Sequence, residues 1–202
     1  KTIPFASSQD HKARDNNDLG PNTGGMGAYS PAPIVTEEIH KQVMEKIIKP
    51  TIDGLKSEGI TYKGFLYAGL MIKNSEISVL EFNCRFGDPE TQPILMRMES
   101  DLAEICLLAA QGNLNEREIS WTKDSALGVV IASKGYPFEY EKNKEINNLE
   151  NENSRQKVFH AGTKTQEGKV LSNGGRVLCV TALGSTLLDS KNLAYQKVKN
   201  ID

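Results

Sequence analysis

The sequence predicts an α+β chain: an antiparallel sheet with helices, followed by a small, mainly-β part that ends in a helix. Three observations carry this. Gly64 to Ile72 and Ile77 to Asn83 are strand-like runs separated by Lys73-Asn74-Ser75-Glu76, which reads as an antiparallel hairpin. Apolar residues recur at helical spacing at Ile39, Val43, Ile47 and Ile48, and again at Leu102, Ile105, Cys106 and Ala109. From about Trp121 the texture shifts to short apolar runs divided by Gly, Pro and Asn. A boundary is placed there, giving parts 1–121 and 122–202.

The bulk numbers narrow the function. A chain of 202 residues can bury a sizeable core, as one large domain or two small ones. With 24 Lys+Arg against 26 Asp+Glu the net charge is −2, so nothing favours bulk binding to nucleic acid or an anionic membrane. No apolar run approaches the roughly 18 residues of a membrane span. The chain begins Lys-Thr-Ile-Pro, without methionine, and reads as a piece of something longer. Cys84, Cys106 and Cys179 are far apart with no ligand spacing. They suit a reducing compartment, and no disulfide is expected.

Residues 1–35 read as a long functional loop, with Ile3 to Ala6 finishing a strand. A polar cluster, Ser7 to Lys12, precedes Gly20-Pro21-Asn22-Thr23-Gly24-Gly25-Met26-Gly27, four glycines in eight residues. Such a run lets a ligand approach main-chain N–H groups. A plain surface loop is the competing reading. Long structureless loops in compact domains are usually functional or disordered, and the adjacent Asp10-His11-Lys12 favours function. Neither a P-loop nor a dinucleotide fingerprint is present.

Further along, Thr36 caps a helix, with Glu37 and Glu38 in its first turn. Pro50 predicts a kink or break, after which a short helix through Ile52 and Leu55 ends near Gly59. His40 is expected on the surface. Met96 to Gln111 is predicted as one helix stopped by Gly112. Ala126 to Ser133 is a strand, and Glu141 to Gln156 a charged, solvated connection. Val158 to Thr163, Lys169 to Leu171 and Arg176 to Leu183 read as strands, the last two joined as a hairpin by Asn173-Gly174-Gly175. Ser185 is predicted to cap a final helix carrying Leu188, Ala194, Tyr195 and Val198. A structural role is favoured for His160 over a substrate contact.

The densest chemistry lies from Leu80 to Gln92. Strand alternation puts Val79, Glu81 and Asn83 on one face, and Leu80 and Phe82 on an apolar face that wants a core. A carboxylate beside a carboxamide suits a hard divalent cation that also takes substrate phosphate oxygens. Arg85 can grip a phosphate bidentately, although a plain ion pair at a strand end is the alternative. Asp88 is read as turning the loop and Glu90 as orienting Arg85. Alternation turns Cys84 toward the core, which argues against a catalytic thiol. No nucleophilic triad is evident. What remains is positioning and electrostatics around phosphate, the usual means of phosphoryl transfer.

Ser8 to Lys12, Gly20 to Pro31 and Glu81 to Gln92 resemble the phosphoribosylamine–glycine ligase family, the glycinamide ribonucleotide synthetases of the ATP-grasp superfamily. Val158-Phe159-His160-Ala161-Gly162-Thr163 and Gly174-Gly175-Arg176-Val177-Leu178 are similar to that family's C-terminal domain. The likeness runs over essentially the whole chain, in the family's order. It implies the C-terminal part of an ATP-grasp domain over 1–121, and an incomplete C-terminal domain over 122–202. It implies ligation of glycine to 5-phosphoribosylamine through glycyl phosphate, with ATP as substrate and ADP and phosphate released, in purine biosynthesis.

By the same resemblance, Glu81 and Asn83 match the Mg²⁺ or Mn²⁺ ligands. Arg85 lies near the transferred phosphate and is grouped with Asp10 and Lys12 as catalytic. His11, Asn22, Gly24, Gly25, Met26 and Gly27 line the substrate and phosphate region. The family's usual Asp-His-Lys-Arg run departs here, with Ala13 after Lys12 and the arginine at Arg14. The resemblance also implies a cytoplasmic enzyme that is a monomer when complete. It implies an upstream α/β domain and an adenine-clasping lobe of the same polypeptide, so the chain alone is expected to be catalytically silent. A non-catalytic ATP-grasp remnant that binds nucleotide or phosphate is the alternative. The intact Glu81, Asn83 and Arg85 set speaks against it.

Overall fold

The computed structural model describes residues 1–115, 117–150 and 153–202. Glu116 lies outside the described residues, as do Asn151 and Glu152 within the charged connection. The elements, in chain order, are β1 (Gln9–Asp10), β2 (Ala13–Asp15), β3 (Leu19–Asn22), β4 (Gly27–Ser30), α1 (Glu37–Val43), α2 (Lys49–Ser57), β5 (Tyr67–Lys73) and β6 (Glu76–Asn83). They continue with α3 (Thr91–Arg97), α4 (Leu102–Gln111), β7 (Ser125–Ala132), β8 (Gln156–His160), β9 (Thr163–Gln166), β10 (Lys169–Ser172), β11 (Arg176–Gly184) and α5 (Leu187–Val198). Residues 3–6 form no strand; the first paired residues are Gln9 and Asp10.

Two compact units form. The first holds residues 1–5, 32–87 and 99–120, and the second 6–31, 88–98 and 121–202. The second unit resumes at Trp121. It also takes in the glycine-rich segment, because β4 pairs with β7 and carries β1 on its other edge.

In the first unit Thr36 accepts a hydrogen bond from the Ile39 N–H and caps α1. Pro50 does not break the helix. It sits in the first turn of α2, just after a π-helical turn over Met44–Ile48. Proline lacks the N–H and crowds the carbonyl four residues back, and the widened turn absorbs both problems. The Thr51 hydroxyl donates to the Ile47 carbonyl at 2.7 Å. The helix expected from Met96 starts later, at Leu102. Asp101 is its N-cap, accepting from the Ala103 and Glu104 N–H groups, and Gly112 ends it in the left-handed region. β5 and β6 form the expected antiparallel hairpin, with Asn74 and Ser75 both at positive φ in its turn.

The second unit is built on a five-stranded antiparallel sheet of order β1-β4-β7-β11-β8. β11 is buried along nearly its whole length. Val180, Leu178, Val177 and Val158 form the core, with Ile131, Val198 and Ile201 packed on it. On the other side, Gly128 brings Cys179 and Thr181 close to Pro93 of α3. A strand covered on both faces reads as a continuous apolar run rather than an alternating one, as Val177 to Ala182 does. Burial pushes the Cys179 thiol up to about 11. Buried Arg97 donates to the carbonyls of Asp124 and Thr122 and to the Ser30 hydroxyl, stitching α3 to β4 and β7.

Two expectations change here. Asn173-Gly174-Gly175 does not close a hairpin, since β10 pairs with β9 while β11 pairs with β7 and β8. The true tight turn is Glu167-Gly168, both at positive φ. The Asn-Gly-Gly run instead threads a crowded place, where a Cβ on Gly174 would lie 2.9 Å from the Gly162 Cα. The final helix is capped by Thr186, one residue after the expected Ser185, in a capping box with Asp189.

Candidate functional site

The hairpin of the first unit supplies one group of functional side chains. Gly69 lies opposite Glu81, but Leu70 lies opposite Val79, so Leu80 is an extra residue in β6. This bulge reverses the side-chain alternation. Partners across a ladder share a face, so Glu81, Asn83, Gly69 and Tyr67 share one side while Val79 lies on the other. The expected grouping of Glu81 with Asn83 therefore holds, and that of Val79 with them does not. Asn83 Nδ2 donates to Glu81 Oε1 at 3.1 Å. Gly69 makes room for the pair: a Cβ there would lie 3.1 Å from the Glu81 Cγ. Leu80 and Phe82, expected to face a core, are 61% and 42% exposed within this chain.

Beyond the strand, Arg85 is exposed, and its Nη1 donates to the Phe86 carbonyl at 2.8 Å. Phe86 is anchored by Phe65 at 3.8 Å and Phe5 at 5.4 Å between ring centroids. Cys84 is exposed rather than core-facing, because β6 ends at Asn83 and alternation lapses there. Burial, with a contribution from the Cys84 thiol, pushes the Tyr62 phenol up to about 12.

The second unit holds the other group. Asp10 Oδ2 is 3.0 Å from Lys12 Nζ, and the Asp10 side chain is only 10% exposed. The contact is Coulombic only: neither carboxylate oxygen receives a hydrogen bond among the described residues. A buried polar atom without a partner needs a reason, and a ligand is a common one. The His11 ring sits 5.2 Å from Tyr29. Asn22 is exposed at the end of β3, opposite Ala13. Arg14, displaced by Ala13, forms an exposed ion pair with Asp15 at 2.8 Å.

Four consecutive amides of the glycine segment are already engaged within the chain. Thr23 N–H donates to the Lys12 carbonyl and Met26 N–H to that of His11. Gly24 N–H goes to the Tyr136 hydroxyl and Gly25 N–H to the Thr23 hydroxyl. The glycines serve close packing. Gly25, at φ +119°, wedges between Pro89 and the Asp10 Oδ1, and a Cβ on Gly27 would strike the Gly128 carbonyl.

Sequence reasoning missed Arg176. Its Nη1 donates to the carbonyls of Gly24 and Asp88, both at 2.8 Å, and its Nη2 to Asp88 Oδ2 at 2.9 Å. The only signal was its place after Gly174-Gly175. Asp88, expected merely to turn the loop, is the anion of this pair. It also accepts from Gln92 at 3.3 Å. His160 is exposed, with Nδ1 3.0 Å from the Thr163 hydroxyl. His40 is exposed as well.

The hairpin face sets a carboxylate beside a carboxamide, and the second unit buries a carboxylate beside Lys12. Residues 1–91 match the phosphoribosylglycinamide synthetase ATP-grasp (A) domain, and residues 126–202 match the phosphoribosylglycinamide synthetase C domain. The chain belongs to the phosphoribosylglycinamide synthetase family. It is 57% identical over 201 residues to the phosphoribosylamine–glycine ligase of Allochromatium vinosum, covering 98% of this chain and 47% of that protein. It is 55% identical over 199 residues to the ligase of the same name from Pasteurella multocida, covering 98% of this chain and 46% of that protein. The crystal structure of phosphoribosylamine–glycine ligase from Thermotoga maritima matches with a TM-score of 0.89 and 34% identity, over 99% of this chain and 49% of that one. The chain thus spans about half the length of the curated relatives it matches.

Proposed function

We propose that this chain is the part of an ATP-dependent carboxylate–amine ligase that holds the metal-bound phosphates, and that the whole enzyme joins glycine to 5-phosphoribosylamine. The observation that carries this is the Glu81–Asn83 pair, which strand alternation sets on one face over Gly69 while the bulge at Leu80 turns Val79 away. Glu81 Oε2 and Asn83 Oδ1 are the oxygens left for a cation. Two protein oxygens suit Mg²⁺ or Mn²⁺, which complete their shell with phosphate and water. Glu81 and Asn83 would hold such a cation, which would supply charge neutralisation at the transferring phosphoryl group.

In this reading the ATP γ-phosphoryl passes to the glycine carboxylate, giving glycyl phosphate and ADP. The amine of phosphoribosylamine then attacks the carbonyl carbon, and phosphate leaves. The side chains position and stabilise rather than form covalent bonds. Arg85 keeps guanidinium N–H groups beyond the one given to Phe86 for a phosphate oxygen. Asp10 accepts an N–H or O–H donor of the substrate, and Lys12 and His11 border it. Asn22, Gly24, Gly25, Met26 and Gly27 line that wall, with the Gly24, Gly25 and Met26 N–H groups engaged within the chain. The remaining half of the polypeptide supplies the adenine site, and the reaction is cytoplasmic.

The test is a coupled ADP-release assay on the full-length polypeptide. Release that requires both glycine and phosphoribosylamine is expected, with the 202-residue chain alone silent. A folded full-length protein that releases ADP without regard to glycine would overturn the reading.

A further inference from the structure

Arg176 donates hydrogen bonds to two segments far from it in sequence. It stands at the start of β11, 152 residues from Gly24, and its side chain is 22% exposed. One guanidinium ties the glycine segment to the Asp88-Pro89 turn that leads into α3. The fit depends on glycine: a Cβ on Gly24 would lie 2.9 Å from the Arg176 Cζ. The two tied segments lie against the buried Asp10 carboxylate. A Cβ on Gly25 would fall 2.4 Å from the Pro89 Cδ and 2.6 Å from the Asp10 Oδ1. Gly25 thus keeps its place between Asp10 and Pro89 only while both neighbouring segments are held. Asp88, half exposed, balances the charge of the clamp.

We propose that Arg176 is a positioning residue for the substrate. By clamping Gly24, Gly25 and Asp88 it fixes the walls around Asp10, so that this carboxylate, beside Lys12, keeps oxygens free of hydrogen bonds for the substrate's donor group. The proposal rests on the reading that Asp10 meets substrate. Charge-assisted hydrogen bonds of this kind carry enough energy to matter for binding, whereas the Coulombic pull of a lysine at the same place cannot reproduce the planar fork.

The experiment uses the full-length ligase with Arg176→Lys and Arg176→Ala, and follows both steady-state kinetics and amide hydrogen exchange. Arg176→Lys is expected to keep its melting temperature within a few degrees. It should raise KM for glycine or phosphoribosylamine by about tenfold or more while KM for ATP stays within about twofold. Exchange at the Gly25 and Met26 amides should quicken at least about tenfold, with β7 and β11 unchanged. Arg176→Ala should show the same pattern, more strongly. Equal shifts in all three KM values, or losses that track only a lowered melting temperature, would overturn the proposal. Unchanged exchange at Gly25 and Met26 would also overturn it. A parent enzyme without glycine-dependent turnover would instead defeat the functional reading, and the exchange rates would still decide whether Arg176 holds the loop.

Discussion

Gly25 is the residue whose surroundings leave least freedom. Its φ of +119° is unfavourable for any L side chain, and its missing Cβ is the space occupied by Pro89 and the Asp10 carboxylate. Gly25→Ala should therefore destabilise the second unit by about 1–3 kcal/mol, read from chemical denaturation. Gly69 is a milder case, because its neighbour is the flexible Glu81 side chain at 3.1 Å. Gly69→Ala should leave stability near wild type but displace Glu81, lowering the proposed ligase turnover of the full-length polypeptide more than it lowers ATP affinity. The pairing of Glu81 with Asn83 was legible in the sequence because the two are only two residues apart. Arg176 was not, because its partners lie 88 and 152 residues away and only the folded sheet brings them together. The glycine run was legible as special, but not for its reason. Sequence shows where a Cβ is missing, not what fills the space.

At the scale of elements, local chemistry determines most boundaries, and it fails where a neighbour intervenes. Thr36, Asp101 and Thr186 each cap a helix with a side-chain oxygen. Thr186→Ala should cost about 1 kcal/mol, seen as a lower thermal midpoint. The same cap gives a pH dependence. Hydrogen bonds from Ser185 and Thr186 hold the Asp189 carboxyl below its ordinary 3.8. A lowered native pKa means that the stabilisation is present above the ordinary value and is lost as pH falls through the depressed one. Asp189→Asn should be less stable than the parent at neutral pH, and the gap should close in an acid titration below pH 3.8, monitored by circular dichroism. The bulge at Leu80 and the π turn before Pro50 were not legible. Each is a backbone adjustment that changes phase without changing composition. Asn173-Gly174-Gly175 carries a hairpin signature, yet close packing of Gly174 on Gly162 claims it instead.

For the whole molecule, the α+β class and the antiparallel hairpin followed from periodicity. The five-stranded sheet did not, because β1 and β4 reach it from the far N-terminal end of the chain. Its centre is β11, where Leu178 is 1% and Val180 0% exposed. Leu178→Ala should cost about 2–5 kcal/mol in denaturant unfolding, more than any surface change in the chain. The hairpin of the first unit presents Leu80 and Phe82 to solvent within these residues.

The central claim is that the strand face of Glu81 and Asn83 holds the metal of a ligase. It is tested most directly by adding Mn²⁺ and ADP to the full-length enzyme and following the side-chain amide resonance of Asn83, with Glu81→Ala as the comparison. Strong paramagnetic broadening of that amide is expected in the parent enzyme and none in the folded variant at the same Mn²⁺ concentration. Equal broadening in both proteins, or none in either while Mn²⁺-dependent turnover persists, would contradict it.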